Sequence, residues 1–470
     1  MGYDPYTTGY LVPPKPPKRQ GPIIVIVVGA VVVAIAIVVT VAMVVWHVAS
    51  PNSTPVPTPA SSATSQEPSQ EQSLEPTESS YTGGITPTIL WAQKYGGLSY
   101  NFFNGVAVAS DGSIVAVGDT NALTSEFGDT NGSQTAMIAM FDGQGNIVWA
   151  KTMSQYDAEE FKAVAIGQDG SIYAVGSSIA SDKGSVVAKL TPTGDIVWVN
   201  TFGGKGIDIF WDVVADGDGI IVVGYTDSKD GDMPATHGGL DALMAKITPD
   251  GDVTWEKTFG GSKDDVFYSV TVGLDGTIVA AGFSGSRNGD FADPRLDSNA
   301  IIAGFSDDGA LLWSKVFGGN DLDLFNAIST APDGSYFVAG GTWSKDGDWP
   351  TKGDGLRAVF GACSPDMAQC QWNLGPSGDF YGAAVTTGGV GVAGGGDSSP
   401  SNWIMGVTNL NTGDKVSGQA VPNQYTHGTY QGLAALPDNQ VVAVGCTEMA
   451  SDTDSFLGDV YAVIVVLAFQ

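Results

Sequence analysis

A tryptophan returns at Trp91, Trp149, Trp198, Trp255, Trp313 and Trp372, at intervals of 58, 49, 57, 58 and 59 residues, and carries nearly the same text each time. The neighbourhoods read "ILWAQKYGG", "IVWAKTMSQ", "IVWVNTFGG", "VTWEKTFGG", "LLWSKVFGG" and the weaker "CQWNLGP", with a seventh equivalent, "KVSGQAV", that has lost the tryptophan. A second signature recurs seven times between them: two short apolar runs joined in most copies by Asp-Gly, as in "VAVASDGSIVAVG" and "SVTVGLDGTIVAAG". A third run, such as "AMIAMFD" or "ALMAKIT", leads through turns such as "PTGD" and "PDGD" into the tryptophan run. Each unit therefore holds four short strands separated by turn residues, an antiparallel meander. Units of this length cannot bury both faces alone, and stacking them radially as the blades of a β-propeller solves that problem.

The two ends of the repeat region complete one another. The chain enters on a tryptophan strand with no earlier strands of its own blade, and "VYAVIVVLAFQ" at the end is a third strand with no fourth after it. Pairing the two closes the ring and removes free sheet edges. The expected fold is an all-β, seven-bladed β-propeller over 88–470, closed by its N- and C-terminal strands. The 64 glycines, without a Gly-X-Y period, fit a chain of many tight turns.

The stretch "WEKTFGGSKDDVFYSVTVGLDGTIVAAGFSGSRNGDF", Trp255 to Phe291, resembles the SBBP-type β-propeller repeat of bacterial surface proteins. The likeness covers most of 88–350 and fades beyond it. It implies the propeller fold and a surface location, and it brings no catalytic residue with it.

Ahead of the repeats lie three further segments. Residues 1–21 are a short basic, Pro-rich tail, and 22–48 contain "IIVIVVGAVVVAIAIVVTVAMVV", 23 residues without a charge. That run exceeds the ~20 residues a helix needs to span a bilayer, so it reads as an uncleaved signal-anchor. Lys15, Lys18 and Arg19 precede it and no Lys or Arg follows until Lys94, which places the N-terminus in the cytoplasm and the propeller outside. Residues 49–87, rich in Ser, Thr, Pro and Glu, have almost nothing to bury and read as a disordered stalk.

From position 88 onward there are 45 acidic and 17 basic residues, a net of −28, a surface that repels nucleic acid. Three cysteines rule out a four-thiolate metal site. Cys363 and Cys370 are close enough to bridge across a hairpin, and the three histidines, His47, His237 and His427, are too scattered in sequence to support a zinc site.

In a four-strand meander the first-to-second and third-to-fourth turns share one face of the disc, and the longer remaining loops share the other. Binding function is drawn to loops on a rigid scaffold, so the long-loop face is the expected site. Three loops there share the form Ser-(Lys/Arg)-(Asp/Asn)-Gly-Asp: Ser228 to Met233, Ser286 to Phe291 and Ser344 to Trp349. The candidate binding residues are Trp211, Asp227, Asp230, Asp232, Asp264, Asp265, Asp290, Asp321, Asp323, Trp343, Asp346, Asp348 and Trp349, with Phe267 and Phe325 nearby. Asp227, Asp230 and Asp232 form a weak calcium pattern that lacks the distal Glu of an EF-hand, and the competing reading is Asp closing its own turn. No other cofactor is expected. "TPDGDVTW" and "SDDGALLW" are similar to sialidase Asp-boxes, but the glycine is displaced by one and only Arg287, Arg295 and Arg357 are present in the propeller. A quinone-dependent dehydrogenase lacks its adjacent cysteine pair here. The expected function is a membrane-anchored surface module that binds protein or glycan without being an enzyme; the alternatives are a surface glycan-active enzyme and an envelope assembly scaffold.

Overall fold

The computed structural model describes residues 87–469, apart from 131, 154–157, 179–183, 218, 293–297, 351–354, 397–402, 412–414, 419–426 and 449–459. The expected anchor and nearly all of the expected stalk lie outside the described residues.

The described chain forms seven four-stranded antiparallel sheets. Six take their strands in sequence order: blade I over 101–152, II over 158–202, III over 208–259, IV over 265–317, V over 323–377 and VI over 379–418. Blade VII joins His427–Leu436, Gln440–Glu448 and Val460–Phe469 to the first described strand, Pro87–Tyr95, which pairs antiparallel with Val460–Phe469 from Pro87 opposite Phe469 to Tyr95 opposite Ala462. The expected closure is present. The first strand of each blade touches the first strand of the next, and that of blade VII touches that of blade I, so the inner strands form a closed ring.

Seven hydrophobic clusters account for the core, and each draws on two consecutive blades. One joins Val115, Val117 and Ile138 of blade I to Phe161, Val164 and Ala174 of blade II, all under 8% exposed. Second and third strands, covered on both faces, read as unbroken apolar runs; Ile114–Thr120 and Thr135–Phe141 are buried throughout. Outer strands are of intermediate burial along most of their length, because their faces are only half covered.

The repeated letters turn out to be joints. In the Asp-Gly turns, Ser113, Ser171, Thr277 and Ser335 N–H groups each donate at 2.9 Å to the aspartate two residues earlier, while the intervening glycine holds φ between 81° and 86°. The tryptophans reach across to the next blade. The indole N–H groups of Trp149, Trp198 and Trp255 donate to Pro192 O, Pro249 O and Asp307 O at 3.1, 2.9 and 3.0 Å. A Cβ on Gly194, Gly251 or Gly309, in the turn each indole covers, would fall within 3.2 Å of the ring. In blade V the equivalent turn carries Met367 at φ 55° in place of glycine, and Trp313 instead lies against Gly304 of its own blade. Cys363 and Cys370 form a disulfide across the third and fourth strands of that blade.

Candidate functional site

Two polar constructions stand out, one in the long-loop face and one around the ring axis. The first answers what the repeated carboxylates do. Asp208, Asp265 and Asp323 open the inner strands of blades III, IV and V, and all are 0–1% exposed. Asp323 Oδ2 accepts from Gly319 N at 2.8 Å and from Ser344 Oγ at 2.7 Å, and its Oδ1 accepts from Thr342 Oγ1. Asp265 accepts in the same way from Gly261 N at 2.8 Å, Ser286 Oγ at 2.7 Å and Ser284 Oγ, and Asp208 from Gly204 N at 2.9 Å, Ser228 Oγ at 2.7 Å and Thr226 Oγ1. Each carboxylate thus ties the Gly-Gly connection entering the blade to the loop leaving its second strand. Burial raises the proton affinity of Asp265 and Asp323, and the hydroxyl and amide donors oppose it.

The other loop candidates close the same connection from outside. Asp227 Oδ1 accepts from Ile207 N at 2.6 Å, Asp230 Oδ1 from Lys205 N at 2.9 Å, and Asp232 N donates to Gly203 O at 3.1 Å. Asp290 and Asp348 accept from Gly260 N and Gly318 N at 2.9 and 2.8 Å. Asp264 accepts from Leu240 N, Asp321 from Leu322 N and Asp346 from Asn320 N. Trp349 is 2% exposed and packs against Phe325 and Trp372 with ring centroids 5.6 and 5.4 Å away; Phe267 and Phe325 are fully buried, and Trp343 is half-buried. Asp265, Asp323, Trp349, Phe267 and Phe325 are therefore enclosed, and no face of them is offered to a ligand. Among the described residues no group of three or more His, Cys, Asp or Glu side chains is placed to hold a metal ion.

The second construction was not read from the sequence, apart from Trp211. Every inner strand carries a β-bulge after a buried aromatic: the registers skip from Phe103 to Gly105, Phe161 to Ala163, Phe210 to Asp212, Phe267 to Ser269, Phe325 to Ala327, Phe380 to Gly382 and Tyr430 to Gly432. The extra residues are Asn104, Lys162, Trp211, Tyr268, Asn326, Tyr381 and Gln431. All seven are partly exposed, whereas the aromatic before each is at most 1% exposed. A bulge re-aims the side chain it inserts, and seven bulges at one level of seven inner strands make a ring.

Neighbours in that ring touch. Asn104 Nδ2 donates to Phe161 O and Glu160 Oε1, both at 2.9 Å; Lys162 Nζ binds Glu160 Oε1 at 2.6 Å and lies 4.7 Å from the centroid of Trp211. Trp211 meets Tyr268 edge to face at 5.2 Å, and Asn326 Nδ2 donates to Phe380 O at 2.9 Å. Asp212 Oδ2 accepts from Val270 N at 2.9 Å, and Ser269 Oγ accepts from Ile328 N at 3.2 Å, so inner-strand amides find partners on the preceding blade. Three carboxylic acids flank this ring, Asp119 and Asp379 buried and Asp212 partly buried. Burial raises Asp212 to about 6 and Asp379 to about 7. Burial and the charge of Glu160 push Asp119 well up, and Lys162, Asn104 and Gln134 oppose them. The sequence signal was present: an aromatic followed by a changing residue, "FN", "FK", "FW", "FY", "FN", "FY", "YQ", at one place in each unit.

No family model matches the chain, and no curated protein matches it. Among solved structures it is similar to the WD40 repeats of RRP9 (10% identical, TM-score 0.47, 82% of this chain and 100% of that one). It is also similar to the WD40 beta propeller domain of Doa1 (8%, TM-score 0.49, 82% and 97%) and to the PQQ-bound aldose sugar dehydrogenase from Streptomyces coelicolor (12%, TM-score 0.42, 82% and 99%).

Proposed function

We propose that this propeller is a surface binding module of the SBBP-repeat type, held outside the cell on its N-terminal anchor and stalk, that takes a protein or glycan ligand at the axial ring and the loops around it. One observation carries the reading. Where the scaffold is uniform, with a buried Phe or Tyr in every inner strand, the next residue differs from blade to blade and is left partly exposed. Packing explains the constant residue and leaves the variable one free for recognition. Trp211, Tyr268 and Tyr381 supply aromatic surface, and Gln431 supplies an amide able both to donate and to accept, the mixture that sugars and peptide backbones need.

The test is a glycan array and a surface-protein array probed with the full chain in nanodiscs, with and without calcium. Saturable binding that a Tyr381→Ala variant loses supports the reading, and silence on both arrays overturns it. Proteolysis of intact cells checks the location: added protease should remove the propeller and spare the tail. The glycan-active enzyme has one observation in its favour, the neutral-range acid Asp379 beside the ring. Asp379 is 6% exposed, which keeps it from a substrate lying in the ring.

A further inference from the structure

Asp241 opens the third strand of blade III and Asp265 opens the inner strand of blade IV; both are fully buried, and Asp265 N donates to Leu240 O at 2.7 Å across the joint. Both carboxyl groups reach Gly260. The point a Cβ would occupy on that glycine is 2.5 Å from Asp265 Oδ2 and 2.8 Å from Asp241 Oδ1. Donors are unevenly shared between them. Asp265 takes three, from Gly261 N, Ser286 Oγ and Ser284 Oγ. Asp241 Oδ2 accepts from His237 N, and Asp241 Oδ1 has no partner and no access to water.

The next joint shows what this geometry requires. There Asn299 stands at the register position of Asp241, since Asn299 pairs with Ser284 as Asp241 pairs with Thr226. The corresponding Cβ point at Gly318 lies 2.2 Å from Asp323 Oδ2 and 2.9 Å from Asn299 Oδ1. An amide carries its own hydrogens at any pH, so that joint does not depend on a proton from solvent. Aspartate brings a hydrogen only when protonated. We infer that Asp241 holds a proton on Oδ1 and donates it to Asp265 Oδ2, making the blade III–IV joint a proton-dependent latch.

Other charged groups near the pair do not remove the need for that proton. His237 Nδ1 is 3.5 Å from Asp241 Oδ2, on the far side from Oδ1, with its side chain 48% exposed. Asp264 and Asp290 accept from Leu240 N and Gly260 N at the edge of the joint and add negative charge, while Lys263 and Arg287 lie in exposed positions of the same loops. Burial, chiefly, holds both carboxyls above their usual range, and the charge of Asp241 pushes Asp265 further up. A group whose folded affinity for protons is raised stabilises the fold at low pH and loses that contribution as pH rises. The latch is therefore closed in acid and opens as pH rises and the second carboxylate forms.

Infrared difference spectroscopy on the full chain tests this. At mildly acid pH, wild type minus Asp241→Asn should show the C=O stretch of one protonated carboxylic acid, and wild type minus Asp265→Asn should show the same band. The melting temperature of wild type should fall as pH rises, and Asp241→Asn, which carries its own hydrogen, should lose that part of the fall. Difference spectra holding only carboxylate bands overturn the proposal, as does an Asp241→Asn melting profile parallel to wild type. Failure of both amide variants to fold also counts against it, because the next blade carries an amide at the position of Asp241.

Discussion

The indole N–H of Trp198 donates to the carbonyl of Pro249 at 2.9 Å, across the joint between blades II and III, and its ring lies on Gly251. The bond links an outer strand to the third-to-fourth turn of the following blade, so the tryptophan holds the ring together more than it fills its own sheet. Trp198→Phe keeps the ring and removes the donor, and should cost about 1 kcal/mol in urea unfolding. Gly251→Ala attacks the same contact from the other side. At φ 89°, with the added Cβ 2.6 Å from Asn200 Nδ2 and 3.2 Å from the indole, the substitution meets both strain and crowding, and its cost should exceed the ~1 kcal/mol of a left-handed backbone alone.

Asp323 accepts three donors without exposure to water. Asp323→Ala strands Gly319 N–H and two hydroxyls, and at ~1–3 kcal/mol for each buried group left unmade the loss should be at least about 3 kcal/mol. Asp111→Ala, in an exposed turn where the carboxylate accepts from Ser113 N, should cost under about 1 kcal/mol by the same measurement. A small effect at Asp323 would show that the loop closes without its carboxylate.

Asp379 binds its proton at about 7 in the folded chain because burial disfavours the charge, against ~3.9 unfolded. The folded state keeps the proton to higher pH, so this residue's contribution is intact below about pH 4 and falls away as pH rises towards 7. Asp379→Asn should match wild type in melting temperature near pH 4 and exceed it at pH 8. The turn aspartates run the other way: hydrogen bonds from Ser171 hold Asp169 below its ordinary range, so what it contributes is lost as acid protonates it.

Fold and site differed in how far the sequence disclosed them. Trp91, Trp149 and Trp198 marked the blades because a side chain bridging two units must recur once per unit, and the strand Pro87–Tyr95 announced closure because its blade had no other strands ahead of it. The loop carboxylates misled for the same reason: Asp208, Asp265 and Asp323 recur because blades III, IV and V close their loops with them, and repetition marked structure. Asn104, Lys162 and Tyr381 were overlooked because they do not repeat. Their shared position depends on a one-residue slip in register, which no periodicity of side chains along a single strand reveals.

The axial ring gives the sharpest separation of binding from folding. Tyr381 is 38% exposed, and the aromatic before it, Phe380, is fully buried between blades V and VI. Tyr381→Ala removes aromatic surface that the core does not use, so melting should shift little while affinity for an array-identified ligand falls at least about tenfold, or ~1.4 kcal/mol. Phe380→Ala should reverse the pattern, with a loss of about 3–5 kcal/mol of stability from the cavity it leaves. Lys162→Met tests the charged side of the ring, since it removes the ammonium from Glu160 and Trp211 while keeping an unbranched chain. It should leave Glu160 unpaired beside Asp119 and lower affinity for an anionic ligand more than for a neutral one. Equal affinity in wild type, Tyr381→Ala and Lys162→Met would move the binding surface off the axis and out to the exposed rims of the loops.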